Sequence, residues 1–108
     1  YEPAAAGDGC RILVDRLWPR GRSRADLAID HWSKEVAPSP ALRRWYGHDP
    51  GKWDAFRGRY EQELEANRGG VMDLLERCRE GRVTLVFGAR DVEHSHAGVL
   101  RDHLLRLA

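Results

Sequence analysis

Residues 11–24 hold five arginines and one acid, Asp15. The arginines are Arg11, Arg16, Arg20, Arg22 and Arg24. The planar fork of a guanidinium fits a phosphate or carboxylate group with two parallel hydrogen bonds, so this stretch indicates recognition of an anion. The alternative is structural: the arginines solvate a loop, or they form ion pairs with Asp15, Asp91 and nearby acids.

A second arginine-containing stretch, Gly88-Ala89-Arg90-Asp91, follows an apolar segment near the end of the sequence. If the two stretches meet in the fold, Arg16, Arg20 and Arg90 are the predicted ligands of a small anion. Lys34 and Arg43, which belong to helical segments, are second candidates.

Acid or base catalysis at such a site needs a titratable group within hydrogen-bonding reach of the anion, whereas a binding module does not. Asp15, Asp91 and His96 are the candidates. His94 and His96 with one acid form an incomplete ligand set for a metal, so we predict no metal site there. A histidine that only caps the last helix is the structural alternative.

Two further residues could contact a ligand. Trp18 lies between Arg16 and Arg20, where its ring could stack on a base or on an arginine, although tryptophans are more often part of a core or a groove wall. His48, between Gly47 and Asp49, is an acid/base or phosphate-binding candidate with the same capping alternative.

Several chemistries lack their sequence signatures. The glycine-rich dinucleotide and P-loop motifs and the GxSxG nucleophile elbow are absent, so no cofactor is predicted. Cys10 opens a predicted strand and Cys78 falls on a helical stripe, so neither has the setting of a catalytic thiolate. The two cysteines lie far apart, with no CxxC pair and no cysteine framework of the secreted type, which argues against a disulfide and favours a reducing, cytoplasmic location.

Apolar patterning predicts two strands and several helices. Consecutive apolar residues flanked by turn residues predict strands over 10–17 and 82–87 that are covered on both faces. The helices are predicted over 24–36, from Ser39 to near Gly47, from Asp49 through Leu64, from Val71 through Cys78, and from Ala97 to Leu107, with a turn over 67–70.

Strands separated by helices indicate a single α/β domain with a small, mostly parallel sheet flanked by helices. Two strands make a poor sheet, so we expect a further strand, for which a place upstream of Tyr1 is the first choice. Ligands of open α/β sheets bind outside the carboxyl ends of the strands. The predicted site therefore lies where residues 15–21 and 88–96 follow the two strands.

The composition is that of one folded domain: 108 residues, 42% hydrophobic and 32% charged, with a net charge of +1. No apolar run approaches the ~20 residues of a membrane span, so we expect a soluble protein. We expect it to be a monomer or a homodimer. The small net charge argues against a general affinity for nucleic acid. Nucleic-acid binding through residues 11–24 and Trp18 remains the alternative function.

Five stretches resemble the YeaO-like family of bacterial domains of unknown function. They are DRLWPRG (15–21), WSKEVAPS (32–39), LRRWYGH (42–48), residues 53–64, and ARD (89–91) with His96-Ala97. The resemblance covers nearly the whole chain and implies a small cytoplasmic α/β protein with no established activity.

The family motifs mark a polar set larger than folding alone should need, although buried ion pairs would account for some members. The set is Asp15, Arg16, Trp18, Arg20, Lys34, Arg43, His48, Arg90, Asp91 and His96. A related branch carries a Cys-His-Arg triplet before the last helix. This chain has Ser95-His96-Ala97 there, so the resemblance implies no thiol nucleophile.

Overall fold

Within the residues that the structure describes, the sheet has three parallel strands. A computed structural model describes residues 9–88 and 95–107. In the order β2-β1-β3, β1 (Cys10–Leu13) lies between β2 (His31–Trp32) and β3 (Val83–Val86). Both pairings are parallel. The α/β class and the two predicted parallel strands are confirmed, although each strand is shorter than its predicted range.

The predicted helix over 24–36 is wrong. Helix α1 (Arg24–Leu27) has a single turn and is followed by Ala28 at a φ of 51°. The Asp30 amide then donates to the Arg11 carbonyl (2.9 Å), and the Asp30 carboxylate accepts from the Arg11 amide (2.9 Å). Bonding to the open edge of β1 therefore outweighs the helical spacing of the apolar residues.

The third strand of the sheet thus comes from inside that segment, and a 3-10 turn (Lys34–Val36) follows it. A strand upstream of Tyr1 lies outside the described residues and stays a prediction. The turn after β2 is joined to the sheet, since the Ser33 amide donates to the Leu13 carbonyl (2.8 Å).

The next two helices confirm their predictions. Helix α2 (Pro40–Tyr46) begins after Ser39, whose hydroxyl accepts from the Leu42 amide (3.2 Å), and ends at Gly47 with a φ of 56°. A 3-10 turn (Pro50–Lys52) leads into α3 (Trp53–Ala66). The Ser-Pro and Asp-Pro pairs act as helix starts because proline suits the first turn.

The predicted turn over 67–70 is wrong, because α4 (Arg68–Arg79) begins directly after Asn67. The Asn67 side chain accepts from the Gly70 amide (3.3 Å) and donates to the Glu35 carbonyl (2.7 Å). An N-capping asparagine thus starts a helix whose first turn includes both glycines. The last helix, α5 (His96–Leu107), confirms its prediction.

The sheet has an apolar cluster on each face. Ile12 and Val14 join the larger cluster with α3, α4 and α5, which includes Tyr60. Leu13 belongs to the smaller cluster, against which Trp18 and Trp32 pack. The alternation of β1 side chains therefore divides the core between two faces. No helix within the described ranges is long and apolar enough to cross a membrane.

Candidate functional site

Asp15 joins the carboxyl ends of the three strands. It follows β1 after Val14, and its side chain accepts a hydrogen bond from the Gly88 amide beyond β3 (2.8 Å). Its main-chain carbonyl accepts from the Trp32 indole at the end of β2 (2.7 Å). The residue is 8% exposed. The predicted meeting of the segments after β1 and β3 is therefore present in the described residues.

His96, the first residue of α5, contacts Asp15 directly. Its Nε2 lies 3.3 Å from Asp15 Oδ1 and 3.0 Å from the Val14 carbonyl oxygen. Both neighbours are acceptors, so the neutral ring carries its proton on Nε2 and leaves the lone pair on Nδ1. Burial lowers the pKa of His96 below its usual value, against the opposing influence of Asp15 and Val14, and the Arg43 charge lowers it further. His96 is therefore a neutral donor at pH 7.

Tyr60 lies on the other side of the His96 ring. The two ring centroids are 6.1 Å apart, nearly perpendicular, and the Tyr60 hydroxyl donates to the Val36 carbonyl (2.5 Å). Burial raises the pKa of Tyr60 far above its usual value, and the charges of Glu63 and Asp15 add to this. The phenol thus stays neutral, and its ring is a fully buried packing partner of His96.

Arg16 is half-buried and is held by two main-chain carbonyls. Its Nη2 donates to Ala37 (3.1 Å) and its Nε donates to Pro38 (3.4 Å). A guanidinium has five N–H groups, so three remain for other acceptors. Arg16 therefore has a fixed orientation that part of a ligand could share.

Arg43, Lys34 and Arg20 are exposed. The Arg43 charge lowers the pKa of both His96 and Tyr60, and the Arg16 charge also lowers that of Tyr60. Lys34 Nζ lies 5.2 Å from the centre of the Trp32 ring. Within residues 9–88 and 95–107, no carboxylate oxygen lies within 4.0 Å of the charged groups of these three residues or of Arg16.

Trp18 and His48 contact other parts of the molecule. The Trp18 indole donates to the Arg22 carbonyl (2.6 Å), and its ring meets Trp32 edge-on at 5.4 Å. His48 lies in the turn after α2, with its ring 6.3 Å from that of Tyr46. The structure thus brings Asp15 and His96 into contact. The charges of Arg16 and Arg43 act on Tyr60, and that of Arg43 also acts on His96. Arg90 and Asp91 lie outside the described residues.

Comparison with known proteins decides the family. Residues 1–107 match the family described as "Inactive DUF488-N3 subclade". The chain belongs to this family. It is 40% identical over 107 residues to the uncharacterized protein YeaO of Escherichia coli, across 99% of this chain and 93% of that protein. It is 42% identical over 104 residues to Rv3073c of Mycobacterium tuberculosis and Mb3100c of Mycobacterium bovis, across 96% of this chain and 87% of each relative. No solved structure matches the chain significantly.

The YeaO-like resemblance is thereby confirmed for a DUF488-N3 chain. The contact of Tyr60 with His96 was not predicted, because the position of Tyr60 in an apolar helical stripe predicts only burial. The one available indication is its hydroxyl, which needs a hydrogen-bond partner once the ring is buried. The partners Val14 and Gly88 act through main-chain atoms, which side-chain motifs do not reveal.

A cavity of about 420 Å³ in this DUF488-N3 domain lies between α3, α5 and β3, and its lining includes Ser95 and Ala97, the neighbours of His96 in sequence. Trp53, Phe87 and Val99 form part of its wall, and Arg57 and Arg101 line it beside Asp102. Both arginines pair with that acid, at 3.2 and 3.4 Å. Each of these arginines thus has an acidic partner, and we assign the candidate chemistry to the carboxyl edge of the sheet instead, where Arg16 and Arg43 have none among the described residues.

Proposed function

We propose that this protein binds a small anionic ligand, bearing phosphate or carboxylate, at the carboxyl edge of its sheet. The supporting observation is the placement of Arg16 and Arg43. Both charges act on Tyr60 beside the Asp15–His96 pair. Neither guanidinium forms an ion pair with an acid of the described chain. A guanidinium that is not held in an ion pair has N–H groups with which to bind the oxygens of an anion.

Asp15 does not prevent this binding, although it is an acid in the same region. Its carboxylate accepts from the Gly88 amide (2.8 Å) and lies 3.3 Å from the protonated Nε2 of His96. The Gly88 amide stabilises this carboxylate, and its burial separates it from solvent. The first turn of α5 also places amide donors and the positive end of a helix dipole beside His96.

Arg20 and Lys34 supply further positive charge at this edge, and Arg90 stays a predicted ligand. Arginine forks suit the oxygen pairs of phosphate and carboxylate groups, which sets the chemical class of the ligand. We place the function in the cytoplasm, where the free thiols of Cys10 and Cys78 stay reduced.

Binding without turnover is the form of the proposal that the contacts favour. The His96 Nε2 proton is already directed at Val14 and Asp15, so only Nδ1 could accept a proton from a substrate. The family description includes the word inactive, which agrees with binding alone. A catalytic role for Asp15, Asp91 or His96 stays a prediction, and turnover of any bound anion would establish it.

Thermal shift and calorimetric titration with inorganic phosphate, pyrophosphate, nucleoside monophosphates and citrate test the proposal. We expect at least one of them to raise the melting temperature of the wild type. Arg43→Gln should weaken that binding about tenfold or more, corresponding to ~1.4 kcal/mol. Arg44→Gln changes the adjacent exposed arginine of α2 and should bind as wild type does. No shift with any anion at millimolar concentration, or equal losses in the two variants, would contradict the proposal.

Nucleic-acid binding through residues 11–24 is an outcome that the same variants can detect. In this stretch Arg11 is buried and donates to the Leu27 carbonyl (3.1 Å), and Arg16 donates to Ala37 and Pro38. Fewer cations therefore face solvent than the sequence offers. Retardation of short single-stranded or duplex probes at low salt, lost in Arg20→Gln but kept in Arg43→Gln, would favour nucleic acid over a small anion.

A further inference from the structure

We propose that His31, Glu35 and Asp73 form a site for a divalent transition metal ion of the zinc type. A ring nitrogen of His31 and one carboxylate oxygen each from Glu35 and Asp73 lie within 4.8 Å of one another. The site uses none of the residues that the proposed anion site requires. It therefore stands or falls independently of that function.

Three separate elements position these ligands. His31 is held in β2 by its pairing with Ile12 of the central strand. Glu35 belongs to the 3-10 turn after β2, and its carbonyl accepts from the Asn67 side chain (2.7 Å). Asp73 lies on α4, the helix that Asn67 caps. The same asparagine thus fixes the turn and the helix from which the two carboxylates extend.

The imidazole of His31 supplies a second, independent observation. Its Nε2 atom is buried and has no hydrogen-bond partner in the described part of the chain. A buried polar atom without a partner costs free energy, and an absent water or ion is one recognised explanation. The unpartnered atom belongs to the same imidazole that lies beside the two carboxylates, so a bound cation at this place would account for a group that the described protein leaves unsatisfied.

The ligand types select the kind of metal. One imidazole and two carboxylates suit Zn²⁺ and similar ions, whereas Mg²⁺ and Ca²⁺ prefer oxygen ligands alone. Zinc takes such ligands at about 2.0–2.2 Å in a tetrahedron, so a water would complete the coordination. Glu35 and Asp73 are exposed, which allows both carboxylates to move the short distance inward.

The neighbouring arginine does not oppose this strongly. Arg77 Nε is 3.9 Å from Asp73, a long contact between half-exposed groups. Two carboxylates against one guanidinium leave a negative balance at the site. A bound ion would connect β2 and its following turn to α4, so we expect it to stabilise the fold.

Titration of chelator-treated, tag-free protein with Zn²⁺ and with Co²⁺ tests the site. We expect binding of one ion per chain, a higher melting temperature with zinc, and a tetrahedral cobalt spectrum without thiolate charge transfer. Cys10 and Cys78 are free thiols, so the titration is repeated in a Cys10→Ser, Cys78→Ser background. Binding that disappears in that background would overturn the assignment.

Variants locate the metal. His31→Gln and Asp73→Asn should each weaken binding at least tenfold, a loss of ~1.4 kcal/mol or more. Glu76→Gln is the matched control, because Glu76 is another exposed α4 acid paired with an arginine, Arg79, at 2.9 Å. Asp73 is exposed, so Asp73→Asn keeps the test decisive even if His31→Gln lowers stability. Unchanged affinity in Asp73→Asn would refute the site.

Discussion

The arginines of the helical surface and those of the carboxyl edge have different partners. Several arginines of α3, α4 and α5 lie within 4.0 Å of a carboxylate oxygen; they are Arg57, Arg77, Arg79, Arg101 and Arg106. At the carboxyl edge, Arg16 donates to main-chain carbonyls and Arg43 is exposed. Neither has an acidic partner among the described residues. The difference is one of location within the fold, since the residue type is the same.

This difference shows how a nearly neutral protein can present a charged site. The chain has 18 basic lysines and arginines and 17 acids, which gives a net charge of +1. On the helical surface the two signs cancel locally, whereas at the carboxyl edge the acid, Asp15, is committed to Gly88 and His96. The distribution of partners is therefore more informative about function than the net charge.

Among the variants that test this comparison of the two regions, Asp15→Ala should lower the free energy of unfolding most. It removes the carboxylate that accepts from the part-buried Gly88 amide and lies beside His96 Nε2. We expect a loss of about 2–4 kcal/mol in the free energy of unfolding. Urea denaturation measures it. Glu65→Ala, at an exposed position of α3, is the control and should change stability little. Equal losses in both variants would show that the carboxylate of Asp15 has no structural role.

Arg16→Met should separate the structural and binding roles of the carboxyl edge. Loss of the bonds to the Ala37 and Pro38 carbonyls should cost about 1–2 kcal/mol of stability. Arg20→Met removes an exposed guanidinium and should leave stability unchanged. The two melting temperatures, measured without ligand, provide the comparison. If Arg16→Met melts with the wild type, the carbonyl contacts do not stabilise the fold.

The buried His96 should make stability depend on pH. Its pKa in the folded protein is lowered, so the unfolded chain binds a proton more readily. Stability is therefore fully present above about pH 6.5 and declines as pH falls toward the lowered value, by at most ~1.4 kcal/mol per pH unit. His96→Gln should flatten the decline of stability below about pH 6.5. The exposed-site variant His48→Gln should retain that decline. A slope unaffected by His96→Gln would mean that other groups control acid sensitivity.

The ion pairs of the helical surface should contribute least. Arg57 contacts Glu61 at 3.6 Å and Asp102 at 3.2 Å, with its side chain 42% exposed. Exposed pairs contribute about 0.2–1 kcal/mol, so Arg57→Met should lose no more than that, and less at high salt. Arg43→Met, which removes no ion pair of the described chain, should cost less still. A larger stability loss in Arg43→Met would reverse the contrast between the regions.

Local patterns predicted the elements that depend on neighbouring residues. The Ser39 and Asp49 helix starts follow from short-range capping, and the apolar run through Ile12 predicts a buried strand. The helix predicted over 24–36 failed because its apolar spacing is helical while the bonds that decide its structure reach back to Arg11 in β1. The residue pattern of one segment carries no information about an unpaired sheet edge that another segment forms.

The candidate sites show the same limit. Asp15 and His96 were predicted from their residue types at the ends of elements, and the structure brings them together. The carbonyls that hold Arg16 belong to residues 21 and 22 positions away, and the metal ligands share no sequence motif. Only the packing of α4 against the turn after β2 places Asp73 beside His31.

The contact between Gly88 and Asp15 spans 73 residues, and that between His96 and Val14 spans 82. Closing such long loops is entropically costly, whereas β1 and β2 pair over a short separation. We therefore expect β3 and α5 to dock late in folding. A nascent chain synthesised only as far as α4 has neither the Gly88 amide nor the His96 ring. On the ribosome, the anion site would then be created in the closing steps of folding, and a ligand present in the cell would favour those steps.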